Sequence, residues 1–316
     1  MTGRPRDVSM AVTPRGSAIR EPSVAGAFYP ASRERLASMV RELLAASSEF
    51  PGDGGQVPHA LPAGLLVPHA GLVYSGGIAA AGWSRLADAE GSRSRLGSPP
   101  TIVVLGTNHG APWLQGVAAW EAGVWRTPLG DVQVDEELAD AILGLGPPFV
   151  VDRDAHNGEH SIEVQLPLLQ VATPHARIVP LTVSAGTGPA AVDAGRRLGE
   201  LLTLRRAAGG TIVLAISSDM AHYPPAGDCE KVTEALLPPI LGVHPAELAA
   251  REIAIRDARI PGLVCGMCGI QPAVLGLAAL RALGAISATR LGVATSAGAG
   301  GPPERTVGYL AVRFDT

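Results

Sequence analysis

Three short apolar runs of this chain each lead, through a turn, to a histidine. The runs lie at 65–67, 102–105 and 212–216, and the histidines that follow them are His69, His109 and His222. Short runs of branched apolar residues bounded by turn residues are typical of strands buried on both faces of a parallel sheet. Ligands of open α/β sheets bind just beyond the carboxyl ends of such strands. The sequence therefore predicts that these histidines converge at one sheet edge, where a metal ion is the ligand that suits them best.

The remainder of the chain alternates strand patterns with helix patterns. Further strands are predicted at 117–120, 178–183, 288–295 and 307–314, and helices at 135–143, 161–171, 191–202 and 272–283. A turn is predicted at 126–130. This alternation predicts an α/β fold, a single domain with a largely parallel or mixed central sheet flanked by helices. Residues 1–20 show no periodicity and are interpreted as a disordered leader, which leaves 21–316 as the domain.

Composition excludes several classes of function. Charged residues are 17% of the 316, the net charge is −4 and aromatic residues are 4%, so neither a basic field nor a stacking surface for nucleic acid is present. Three cysteines do not make a disulfide framework. No signal peptide and no apolar run of membrane-spanning length is visible. A cytoplasmic protein without nucleic-acid or membrane partners is expected.

A carboxylate and an imidazole lie three residues apart in the segment 217–222. On a helical turn, Asp219 and His222 would share one face. The alternative is a helix start, with Ser218 or Asp219 as N-cap and His222 on the surface.

The densest polar cluster is 159–163, which reads Glu-His-Ser-Ile-Glu. One interpretation makes His160 a general acid or base that a neighbouring carboxylate orients. The other is a helix start capped by Ser161. The four remaining histidines lack a second polar partner nearby and are interpreted as surface residues: His59, His156, His175 and His244.

Cys265 and Cys268 form a C-x-x-C pair. A single such pair is a weak zinc-ribbon signal. Two inert buried thiols are one interpretation, and a thiolate contributed to the histidine cluster is the other.

Several of these segments, in this order, resemble the Memo family, whose prokaryotic members are often labelled AmmeMemoRadiSam system protein B. The resemblance covers roughly 20–314, and its most specific parts are Pro-His-Ala-Gly at 68–71 and Glu-His-Ser-Ile-Glu at 159–163. It implies a fold similar to that of class III extradiol dioxygenases, which hold non-haem Fe(II). By the same resemblance His69, His109 and Cys265 match metal-binding residues. Asp219, His222 and His160 match residues that line the same pocket.

Three hypotheses follow for the function. The first is an iron or copper oxidoreductase, dioxygenase-like, that acts with O2 on a small molecule, with His160, His222 and Asp219 as the catalytic residues. The second is a non-catalytic metal- or peptide-binding protein with a vestigial dioxygenase pocket. The third is zinc-dependent hydrolysis, which the absence of a metalloprotease signature disfavours. A functional link to a radical-SAM protein is also expected from the family label.

Overall fold

The computed structural model of the protein describes residues 18–47, 60–87 and 99–316. In chain order these residues form the elements β1 (Ile19–Arg20), α1 (Arg33–Ala46), β2 (Gly64–Val67), α2 (Leu72–Ala87), β3 (Thr101–Thr107), β4 (Gly116–Ala119), β5 (Val124–Thr127), β6 (Gly130–Gln133), α3 (Glu136–Leu143), β7 (Phe149–Val151), α4 (Leu166–Ala172), β8 (Arg177–Ser184), α5 (Pro189–Ala207), β9 (Ile212–Ser217), α6 (Ala226–Leu241), α7 (Pro245–Asp257), α8 (Ile270–Ala282), β10 (Ser287–Thr295) and β11 (Gly308–Asp315).

Eight of the strands form one mixed sheet, in the order β10-β11-β2-β9-β3-β8-β4-β7. The four central strands, β2, β9, β3 and β8, are parallel to one another. On the flanks, β11 is antiparallel to β2 and β4 is antiparallel to β8. The predicted fold class, a single α/β domain with a mixed sheet flanked by helices, is confirmed.

Alternate residues of the central strands face two separate cores. Leu66 and Leu214 belong to the core that includes Leu275 of α8, whereas Leu65 and Val213 belong to the core that includes Trp83 of α2. Every residue of β2, β3 and β9 is buried. These strands therefore read as continuous apolar runs, because helices cover both faces of the sheet.

The predicted helix at 161–171 is shorter than expected. Residues 163–165 form a single 3₁₀ turn, and α4 begins only at Leu166. The polar side chains at its predicted start are buried and bonded to distant segments, Glu163 to Arg20 and Gln165 to Trp83. Tertiary hydrogen bonds therefore replace the regular helix there.

The turn predicted at 126–130 lies at residues 128–129, where it joins the two antiparallel strands of a β-hairpin, β5 and β6. Strand β1 adds to β5 in parallel and completes a small three-stranded sheet. Of the predicted leader, 1–17 lies outside the described residues, but 18–20 belongs to the fold. Arg20 is 3% exposed and donates to the buried carboxylate of Glu163, so its burial depends on this ion pair.

The register of the sheet places the ends of three strands side by side. Val67 of β2 pairs with Ser217 of β9, and Leu105 of β3 pairs with Ile216. The turns that follow these strands therefore lie at one edge of the sheet, where the candidate site is found. Within the described part of the chain, no helix has both the length and the apolar character that a membrane crossing requires.

Candidate metal centre

Three histidines present ligand nitrogen atoms that all lie within 4.8 Å of one another: His69, His109 and His160. The ring centroids of His69 lie 5.2 Å from those of His109 and 5.4 Å from those of His160, and the last two rings stack at 4.5 Å. The turns after β2 and β3 supply the first two, and the loop before α4 supplies the third. His69 and His109 therefore meet as the strand pattern predicts. The third histidine of that pattern, His222, is not part of the triad, and His160 lies there with the other two.

His69 is the most buried member of this triad, at 1% exposure. Its ring Nδ1 lies 2.9 Å from the hydroxyl of Ser217, and its backbone N–H donates to Asp219 at 2.7 Å. Burial lowers the pKa of His69 to about 3. The imidazole is therefore neutral at physiological pH, which is the form that binds a metal ion.

His109 is oriented by the buried carboxylate of Glu159. Burial alone would raise the pKa of this carboxyl, but hydrogen bonds and charge from His109, together with the backbone N–H of Ser161, lower it to about 2. Glu159 is therefore a carboxylate. Because a carboxylate only accepts, Nδ1 of His109 donates to it, which leaves Nε2 as the ring nitrogen that can face a ligand.

His160 is held by packing more than by hydrogen bonding. Its ring lies 4.7 Å from that of Phe28, and its Nδ1 is 3.6 Å from Glu159, beyond hydrogen-bond distance. Burial, followed by the charge of His109, lowers the pKa of His160. It therefore joins the triad as a neutral imidazole with no ring partner among the described residues that fixes its tautomer.

Asp219 and His222 lie beside the triad but do not share a helix. The segment after β9 is not helical, and His222 forms isolated bridges to Cys265 and Val307. One carboxylate oxygen of Asp219 accepts the backbone N–H groups of His69 and Ala70, at 2.7 and 3.2 Å. The other lies 3.8 Å from Nε2 of His222. Asp219 therefore fixes the backbone of the turn that carries His69.

The structure distinguishes the two thiols of the C-x-x-C pair. The Sγ of Cys268 lies 3.2 Å from Nε2 of His69, and His69, Asp219 and Cys268 form a second group of ligand atoms within 4.8 Å of one another. Cys265 belongs to neither group. Its carbonyl accepts the backbone N–H of His222, and burial followed by the charge of Glu252 raises the pKa of its thiol to about 11.

Cys268 thus occupies the place that the family resemblance gave to Cys265. The C-x-x-C spacing left both thiols available, and only the backbone path after His222 decides which one faces His69. In the sequence, the signal for this thiol is Cys268 itself, the second cysteine of the C-x-x-C pair, and spacing does not favour it over Cys265.

A cavity of about 490 Å³ opens beside the triad. Its lining includes all three triad histidines as well as Asp219 and His222, and it is otherwise aromatic or small: Phe28, Ala70, Gly71, Tyr74, Tyr223, Ser296, Gly301, Pro302, Val307 and Tyr309. A cavity of this size and lining suits a small, largely apolar molecule with a few polar groups.

One of the four histidines predicted to lie at the surface does not. His156 is fully buried. Its Nε2 donates to the carbonyl of Ala118 at 3.1 Å, and its Nδ1 lies 3.1 Å from the hydroxyl of Thr182. Two partners distant in sequence satisfy the ring, so local spacing could not reveal it. His175 and His244 are exposed, and His59 lies outside the described residues.

Fold and site together define an α/β protein with a histidine-rich candidate metal centre at the carboxyl edge of its sheet. Residues 20–313 match the family of Memo-like proteins, and the chain belongs to this family.

Relatives of nearly equal length share about a third of their residues with this chain. A MEMO1 family protein from Methanopyrus kandleri is 35% identical, over 93% of this chain and 98% of its own length. MEMO1 family proteins from Aquifex aeolicus and Pyrobaculum aerophilum are 33% and 34% identical, each over 94% of this chain and 99% of its own length. An uncharacterized protein from Escherichia coli K12 superposes with a TM-score of 0.46 at 17% identity, over 79% of this chain and 98% of that one.

Proposed function

We propose that the protein is a dioxygenase-like oxidoreductase that holds one iron or copper ion on His69, His109 and His160 and acts on a small molecule in the adjacent cavity. The observation that carries this proposal is the convergence of three imidazoles, with ligand nitrogens within 4.8 Å of one another, at the wall of that cavity. Imidazole suits iron, copper and zinc better than magnesium or calcium.

The residues present fit such an ion. Three imidazoles leave further coordination positions for a substrate or a co-substrate, as catalytic sites require. Cys268 and Asp219 lie close enough to His69 to supply a soft or a hard additional ligand. When bound, the ion would supply Lewis-acid and one-electron chemistry that the side chains lack.

Among the described residues, His222 is well placed to move a proton. It lines the cavity, and its Nε2 has no hydrogen-bond partner among the described residues, with the carboxylate of Asp219 3.8 Å away. Asp219 would orient the ring and stabilise its charged form. The proposal therefore places His160 with the ligands, and keeps His222 and Asp219 for proton transfer.

Metal content and oxygen consumption test this proposal. Protein purified anaerobically is expected to carry iron or copper by elemental analysis, and to consume O2 with a phenol, a catechol or a thiol. His69→Ala should lose both properties, whereas His244→Ala, at an exposed histidine, should keep both. Zinc as the bound metal, or O2 consumption unchanged in His69→Ala, would overturn it. Stoichiometric iron or copper without turnover would instead support the non-catalytic binding protein.

A further inference from the structure

We infer that a buried chain of three side chains, Trp83, Gln165 and Ser217, sets the tautomer of His69 and so turns the lone pair of its Nε2 toward the cavity. These are positioning residues, since none of them lines the cavity. All three are fully buried, as is the backbone that they contact. The inference rests on the proposed function for its purpose, but the tautomer itself is a property of the metal-free protein.

This series of hydrogen bonds begins at Trp83, whose indole N–H can only donate. The indole Nε1–H of Trp83 donates to Oε1 of Gln165 at 2.8 Å. Because an indole nitrogen never accepts, this contact fixes which end of the Gln165 amide is oxygen. The amide nitrogen must then face the opposite way.

The amide nitrogen of Gln165 uses both of its protons. One goes to the backbone carbonyl of Pro68 at 2.8 Å, and the other goes to the hydroxyl oxygen of Ser217 at 3.0 Å. The first of these acceptors confirms the orientation of the amide, since a carbonyl cannot donate. The hydroxyl of Ser217 therefore accepts from Gln165.

Ser217 has a single proton, and it is already used. Its hydroxyl donates to the backbone carbonyl of Ser161 at 2.6 Å. If that proton pointed at His69 instead, two acceptor oxygens would face each other at this distance with no hydrogen between them. The 2.9 Å contact between Ser217 and Nδ1 of His69 must therefore be a bond that His69 donates.

With its proton on Nδ1, His69 presents an unprotonated Nε2. That atom faces Cys268 and the ligand nitrogens of the triad. The other two ring environments differ, since a carboxylate fixes His109 and no ring partner fixes His160. Neutral groups thus orient His69 without adding negative charge to the site. The hydrogen-bonding partner of a ligand histidine commonly determines which of its nitrogens binds the metal.

The test compares two buried serines. Ser217→Ala removes the acceptor for His69, whereas Ser75→Ala removes an equally buried hydroxyl whose hydrogen bond, among the described residues, is to the carbonyl of Ala70. Histidine ring ¹⁵N shifts of the metal-free protein report the tautomer, and Co²⁺ titration reports affinity. The wild type and Ser75→Ala should show His69 protonated on Nδ1. Ser217→Ala should show a mixture of tautomers and a Co²⁺ affinity lower by about tenfold or more.

Each outcome decides a separate question. A wild-type His69 protonated on Nε2 overturns the inference, and so does a Ser217→Ala protein that keeps the wild-type tautomer. If Ser217→Ala does not fold, the wild-type spectrum alone decides. If the tautomers are as expected but Co²⁺ binds neither protein, the inference stands and the proposed metal site fails.

Discussion

Glu159 accepts two hydrogen bonds from His109, one from the backbone N–H at 2.7 Å and one from ring Nδ1 at 3.0 Å. The same carboxylate also accepts the backbone N–H groups of His160 and Ser161, both at 2.9 Å. One buried side chain thereby fixes the ring of one triad histidine and the backbone of the next. The loop before α4 and the turn after β3 are joined at this point.

Replacing Glu159 with glutamine is expected to weaken metal binding. The amide puts a donor where the carboxylate had an acceptor, so it cannot accept from all four N–H groups. It also removes the charge that orients His109. The affinity for Co²⁺ should fall about 10- to 100-fold in Glu159→Gln. Glu247→Gln, at an exposed position on α7, is the matched control and should bind as the wild type does. Equal affinities in both variants would contradict this role.

The strand pattern of the sequence predicts the positions of two of the three triad histidines. His69 and His109 each follow a buried apolar strand, and parallel strands bring their carboxyl ends together whatever the intervening chain does. His160 follows no strand. It reaches the triad because Glu163 and Gln165, on the same loop, are bonded to Arg20 and Trp83. Such long-range polar contacts leave no periodicity that a single sequence could reveal.

The choice between the two cysteines had the same limit. The C-x-x-C spacing does not show which thiol, if either, joins the histidines, whereas the backbone bridge between His222 and Cys265 positions the following residues so that Cys268 faces His69.

The small three-stranded sheet was not predicted, for a different reason. Its strands β1, β5 and β6 are two to four residues long, too short for an alternating pattern to stand out.

Cobalt spectra separate the two thiols. If a metal ion on the triad also takes the thiolate beside His69, the Co²⁺ protein should show a thiolate-to-metal charge-transfer band in the near ultraviolet. Cys268→Ser should abolish that band, and Cys265→Ser, three residues away, should keep it. The reverse pattern would restore Cys265 as the ligand that the family resemblance implies.

Acid should destabilise the fold through His156. Burial lowers the pKa of His156 from 6.5 to about 4. Between these values the unfolded chain binds a proton that the folded chain does not, so the free energy of unfolding falls as the pH falls through this window. From pH 7 to pH 5 this one residue should cost about 2 kcal/mol. The pKa values of His69 and His160 are also lowered, so these residues add to the loss of stability in acid.

Urea unfolding at the two pH values measures this loss. His156→Gln, which keeps a donor for Ala118 and an acceptor for Thr182 but cannot be protonated, should lose less stability than the wild type over the same interval. A wild-type protein that is equally stable at pH 7 and pH 5 would show that His156 is not buried as a neutral ring.

Two glycines of α5 set how closely that helix packs against α8. A Cβ at Gly195 would lie 2.2 Å from the carbonyl oxygen of Leu275, and a Cβ at Gly199 would lie 2.2 Å from that of Ala279.

In an open helix, replacing glycine with alanine stabilises the folded protein by roughly 0.5–1 kcal/mol, because glycine loses more backbone entropy on folding. At Gly195 the contact with backbone outweighs this gain, since neither helix can shift without disturbing the sheet beneath it. Gly195→Ala should therefore lower the free energy of unfolding by at least ~1 kcal/mol. Gly77→Ala in α2 should raise it, because the added methyl would have no described atom within 4 Å apart from its chain neighbours and the backbone of its own helix. Chemical denaturation of the two variants checks the contrast, and stabilisation by both would mean that α5 and α8 do not pack this closely.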